Sequence, residues 1–103
     1  MAKLILTASP TFNAKVMIPV PGAKPVPVVF TFKGRTKDAF KAFLENMADK
    51  EDVDAILLVA SGWDLEDAFG EENVEKLVQN YIGSAKAILE TYIGELAAAR
   101  LGN

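Results

Sequence analysis

Between Phe12 and Lys33 the chain alternates apolar and mixed residues with a period of two, on both sides of Pro21-Gly22-Ala23-Lys24. That pattern is the signal of a strand, a turn and a second strand. Phe12, Ala14, Val16, Ile18 and Val20 share one face of the first strand; Val26, Val28, Phe30 and Phe32 share one face of the second. A two-stranded sheet is marginal alone, so this apolar face needs the rest of the chain packed on it. Pro19, Pro25 and Pro27 have no N–H to give to a ladder, which places them at strand ends and sheet edges. They are expected to bar a third strand from the hairpin and so to guard it against aggregation. Leu4 to Thr7 is a candidate for a further short strand. Met17 and Val29 fall on the other, mixed face of the hairpin, as a strip open to a partner or as ordinary scattered surface.

The remainder reads as helix. Thr36 is a favourable N-cap with Asp38 in the first turn, and Ala39, Phe40, Phe43, Leu44 and Met47 make an apolar stripe behind it. Val53, Ile56, Leu57 and Ala60 keep helical spacing after the acidic lead-in Asp49–Asp52, although Ala55–Ala60 is also a continuous apolar run of strand length. Helix is preferred, with Glu51 or Asp52 as its cap and Gly62 ending it. Val74, Leu77, Val78 and Tyr81 form one further stripe; Ala85, Ile88, Leu89, Tyr92, Ile93 and Leu96 form another. Tyr81-Ile82-Gly83-Ser84 breaks the two so that the last helix folds back. Gly62-Trp63-Asp64 reads as an indole anchored under a turn, and Trp63, Phe69 and Tyr81 are the expected structural core of this half. The expected fold class is α+β, in one domain over 1–103. A β-hairpin region, 1–35, packs on a helical region, 36–103, with helices over 36–48, 51–60, 71–81 and 84–99.

The side-chain inventory excludes most chemistry. The chain of 103 residues has no His and no Cys, which removes the usual general base, thiol catalysis and the common transition-metal ligands. Ser61 and Ser84 therefore have no His partner, and the seven glycines are too scattered to cradle a phosphate. Asp64, Glu66, Asp67, Glu71, Glu72 and Glu75 form an acidic cluster. Counted as a calcium loop from Asp64, it places Ala68 and Phe69 at the fifth and sixth positions, where a ligand and a Gly are needed. Negative charge in the first turn of a helix is its simpler role. No catalytic residue, cofactor or metal is expected. Residues 1–41 carry seven Lys/Arg and one Asp, about +6, against about −9 in the rest, for a net −3. Two solvated faces, or a dipolar module that orients a charged partner or its own copies, fit this asymmetry. The basic residues stand singly among Pro and Val, without the signature of a nucleic-acid interface. The apolar run Leu4-Ile5-Leu6 is too short for a signal peptide or a membrane span, so the protein is expected to stay where it is made.

The literal string resembles a known family. Trp63-Asp64, Phe69, Glu71-Glu72-Asn73, Asn80-Tyr81-x-Gly83, Tyr92-x-x-Glu95-Leu96 and the ending Ala99-Arg100-Leu101-Gly102-Asn103 are similar to the tail assembly chaperones of tailed phages and prophages. Val16-Met17-Ile18-Pro19-Val20-Pro21-Gly22 and Val28-Val29-Phe30-Thr31-Phe32-Lys33 extend the resemblance to the first half. One departure is Ile82, where the family usually has Pro. The resemblance implies a non-enzymatic protein of the host cell cytoplasm, absent from the mature virion. It implies binding to the long tape measure protein, held soluble while the tail tube polymerises, and often a frameshifted longer form that recruits the tube protein. Self-association is an added expectation; nucleic acid and membrane are not expected partners. Met17 and Val29, with Tyr92 on the last helix, are the candidate partner contacts. The alternative is a structural tail completion or connector protein of the virion that forms rings. An acid-catalysing or metal-binding domain is a third and weaker reading, resting on the carboxylate cluster alone.

Overall fold

The structure is a computed structural model and describes residues 2–7 and 9–97. Its elements run β1 (Thr11–Ile18), β2 (Val26–Lys33), α1 (Lys37–Met47), α2 (Asp52–Val59), β3 (Ala60–Trp63), α3 (Glu71–Asn80) and α4 (Ser84–Ala97). The class is α+β: a three-stranded antiparallel sheet in the order β1-β2-β3, covered on one face by helices.

The hairpin forms where the alternation places it. Phe12 pairs with Phe32, Ala14 with Phe30, Val16 with Val28 and Ile18 with Val26, so the apolar sets coincide across the strands. The Ala23 N–H donates to the Val20 carbonyl at 3.0 Å, and Gly22 between them has φ 76°. Pro at the second position and a left-handed Gly at the third are what a type II turn requires. At the other end Gly34 donates to the Pro10 carbonyl, and a Cβ on Gly34 would lie 2.6 Å from the Ser9 carbonyl oxygen. Only Gly admits that approach without movement.

The prolines do not bar a third strand. β3 pairs with Phe30, Thr31 and Phe32 of β2, with an irregularity at Thr31/Phe32 that leaves Ser61 without a partner. The Val29 carbonyl accepts the Asp64 N–H at 3.0 Å, and the Val29 N–H donates to Asp64 Oδ1 at 3.0 Å. Val29 therefore faces this edge, and by the two-residue period Pro27 faces it too. Pairing stops there because Pro27 has no N–H to continue it. Pro27 sets the length of β3 and leaves its existence untouched.

Residues 52–59 are helical, and the chain turns extended at once, with Ala60 at φ −126°, ψ 151°. The apolar run thus holds a helix and the first residue of a strand. Gly62 does not cap the helix; it lies in β3 opposite Thr31. Leu4–Thr7 forms no strand and stays exposed. Thr36 caps α1 as expected, its Oγ1 accepting from the Ala39 N–H at 3.1 Å. Glu51 precedes α2 without a side-chain cap bond. Residues 98–99 of the expected last helix, and Ala99–Asn103 of the family resemblance, lie outside the described residues.

The core collects Val16, Ile18, Val28, Phe30 and Phe32 of the sheet with Phe43, Val53, Ile56, Val59, Val74, Ala85, Ile88 and Tyr92 of the helices. Ser84 is the one buried polar residue among those described; its Oγ lies 3.4 Å from the Leu77 carbonyl oxygen, across the break between α3 and α4. The Ser84 N–H donates to the Tyr81 carbonyl at 2.9 Å, so the turn closes with Ile82 in place of Pro.

Candidate partner-binding surfaces

Tyr92 is not a surface residue. It is fully buried, stacked on Phe12 at 6.1 Å and edge-on to Phe43 at 5.7 Å, with Phe32 and Phe40 also against it. Its hydroxyl donates to the Lys33 carbonyl at 2.8 Å and accepts from Arg35 Nη1 at 2.8 Å. A buried phenol needs both partners, and here it has them. The partner role expected of Tyr92 is therefore replaced by a structural one. Arg35, which the sequence reading passed over, holds this end together. Its Nη2 donates to the Leu58 carbonyl at 2.8 Å, and its guanidinium lies 4.8 Å from the Phe43 ring centre. Lys33 Nζ donates to the Leu57 carbonyl at 3.1 Å. α2 has no basic residue in its last turn, so two cations from the end of β2 serve its terminal carbonyls. A basic residue just past a strand was the available signal, but its partners are distant in sequence.

Met17 and Val29 do come together. Met17 pairs with Pro27 and Lys15 with Val29, so Met17 and Val29 are diagonal neighbours on the sheet face away from the helices. Met17 is 47% exposed and Val29 half-buried. Around them lie Asn13, Lys15 and Thr31, with Thr31 Oγ1 bonded to Asn13 Oδ1 at 3.0 Å. This is a mixed surface with an apolar strip at its centre.

On the helix side, at the turn end of the hairpin, there is a second apolar surface. A cleft of about 370 Å³ runs between the sheet and α3. Ile18, Val20, Val26 and Val28 form one wall; Leu77, Asn80 and Tyr81 form the other, with Trp63, Leu65 and Asp67 at its side. The backbone of Trp63 ends β3, and its indole is anchored under the bend that follows, as expected. It is half-buried, edge-on to Phe30 at 5.8 Å and to Phe69 at 5.0 Å, and its Nε1 donates to the Asp67 carbonyl at 2.6 Å. Phe69 is also half-buried, whereas Tyr81 is 37% exposed and borders the cleft instead of joining the core. Sequence periodicity missed the cleft because Val20, Val26 and Leu77 carry the same apolar signal as buried residues.

The remaining chemistry is sparse. Asp64, Glu66, Asp67, Glu71, Glu72 and Glu75 are all exposed. Among the described residues no three His, Cys, Asp or Glu side chains are grouped to hold a metal ion. No helix among them is long and apolar enough to cross a membrane.

The described residues thus form a small sheet with helices on one face, an uncovered mixed face on the other, and an apolar cleft at the turn end of the hairpin. The family model described as phage tail assembly chaperone matches residues 1–103, and the chain belongs to that family. No curated protein and no solved structure matches the chain.

Proposed function

We propose that this chain is a non-enzymatic chaperone that binds the tape measure protein of its phage in the host cytoplasm. It keeps that protein soluble until the tail tube assembles, and does not remain in the finished virion. The family match over residues 1–103 carries this reading. The open sheet face supports a place for the contact. A long helical partner exposes apolar stripes, and an uncovered sheet face with Met17 and Val29 side by side suits a helix laid across it. A helix on that side adds the layer that the sheet lacks. The contact must release when the tube arrives, which argues for a single-site affinity of about 1–100 μM, or roughly 5–8 kcal/mol. Many copies along one partner supply the rest by avidity. The acidic loop Asp64–Glu72 keeps such complexes soluble by repulsion. A frameshifted longer form that recruits the tube protein belongs to the same reading.

Co-expression tests it. The cognate tape measure protein is expected to move from pellet to supernatant when this chain is present. Met17→Asp with Val29→Asp should abolish that while circular dichroism stays unchanged. A tape measure left insoluble by the parent chain, or this chain found in purified virions, overturns the function. Rescue that survives the double substitution rejects the sheet face alone.

A further inference from the structure

We infer that the helix taken by the open sheet face carries acidic side chains along one flank of its apolar stripe and basic side chains along the other. Lys15 and Asp64 then fix which way that helix lies. The inference rests on the sheet-face contact proposed above and adds the chemistry of the partner to it.

Strand register sets the arrangement. Lys15 pairs with Val29 on one side of β2. On the other side Phe30 pairs with Trp63 and Thr31 with Gly62, and the bond from the Asp64 N–H to the Val29 carbonyl carries that register one residue further. Lys15, Val29 and Asp64 thus form one row across the sheet, with the apolar residue in the middle. The Asp64 carboxylate is held at its end of the row, because Oδ1 accepts the Val29 N–H at 3.0 Å. Lys15 and Asp64 are both exposed. Of the other residues with side chains on this face, Thr11, Asn13, Met17, Pro27 and Thr31 are uncharged, and Lys33 is engaged with the Leu57 carbonyl.

The width of the row matches one occupant. Neighbouring strands lie about 4.8 Å apart, so the backbones of Lys15 and Asp64 are separated by about 10 Å. An α-helix with its side chains measures about 10–12 Å across. A helix seated along β2, over Val29 and Thr31 with Met17 beside it, therefore has a cation at one flank and a carboxylate at the other. Acidic residues on both flanks would gain at Lys15 and lose at Asp64, and basic residues on both would do the reverse. Only a helix of split charge gains at both. Turning such a helix end for end exchanges its flanks, so one sequence has one favoured direction. Copies bound along one long partner would all face the same way.

Designed helical peptides that share one apolar stripe and differ only in their flanks test this. At an ionic strength of about 0.01 M, where charges act over about 30 Å, the peptide with Glu on one flank and Lys on the other should bind about three- to tenfold tighter than one with uncharged flanks. That advantage should vanish in about 1 M salt. Lys15→Glu should remove most of it, and a peptide with Lys on both flanks should restore binding to this variant. If Lys15→Glu loses its circular dichroism, Lys15→Gln takes its place. A nitroxide at the peptide N-terminus should broaden the amide signals of either Asn13 or Met17, not both. Exchanging Glu and Lys should move the broadening to the other end of the face at unchanged affinity. Met17→Asp with Val29→Asp should abolish binding of every peptide. Equal affinity for all flanks, broadening at both ends, or an unaffected Lys15→Glu overturns the charge polarity and leaves the sheet-face contact standing. Peptides that do not bind at all, or that bind the Met17→Asp, Val29→Asp chain unchanged, reject the sheet face and the polarity with it.

Discussion

The two ends of the sheet carry the same alternation and end differently. At the open mouth of the hairpin Phe12 faces Phe32; at the turn Ile18 faces Val26. Both pairs are apolar. The first end is sealed by α4, which returns to stack Tyr92 on Phe12 and to collect Phe40 and Phe43 of α1 around the ring. Hydrogen bonds from Tyr92 to Lys33 and from Arg35 to Tyr92 and Leu58 then tie β2, α2 and α4 together. At the second end α3 stands off the sheet, so Val26, Leu65 and Tyr81 border a cleft. A period of two identifies which residues share a face; whether that face is covered depends on where a distant aromatic arrives.

Breaking the sealed end should have the largest effect. Tyr92→Ala removes a fully buried ring and both bonds of its hydroxyl. Such truncations cost about 3–5 kcal/mol. That is a large share of a small domain's stability, and Tm should fall by at least about 12 °C. A fall of only a few degrees in thermal melting would show that the aromatic cluster is not the anchor. Trp63→Ala, beside the cleft, should cost about 2 kcal/mol. The indole is half-buried, so its removal returns less apolar area to water and leaves a hole already open to solvent. If Trp63→Ala destabilises more than Tyr92→Ala in the same urea titration, the ranking of the two ends is reversed.

Much of this was legible in the sequence, for local reasons. The hairpin, its Pro-Gly turn, the Thr36 cap and four helices within a few residues of their expected spans all follow from spacing and short-range bonds. What was not legible depends on long-range partners. β3 is only four residues long, and its pairing with β2 depends on the irregularity at Thr31/Phe32. Gly62 and Asp64 signal the bend that holds the Trp63 indole, but not that both also serve the edge of β2. Tyr92 and Tyr81 exchanged places for a similar reason. Each sits at the expected helical spacing, yet α4 crosses the sheet and α3 ends at its rim, so one ring is buried and the other lines the cleft.

The smallest effect concerns the turn that carries α3 into α4 beside the cleft. Ile82 is 87% exposed there, and its side chain contributes little to packing. Pro at this position requires the preceding residue to avoid the helical region. Tyr81, at φ −130° and ψ 87°, already does. The turn is closed by the Ser84 N–H, and the first backbone bond of α4 is the Ala87 N–H to the Gly83 carbonyl. Neither uses an N–H from residue 82. Ile82→Pro therefore narrows the unfolded chain without removing a native bond, which stabilises by about 0.4–1 kcal/mol at a compatible site. Tm should rise by roughly 2–6 °C. A lower Tm would mean that φ at residue 82 departs from the proline value, and that the open end relies on a turn geometry peculiar to Ile82.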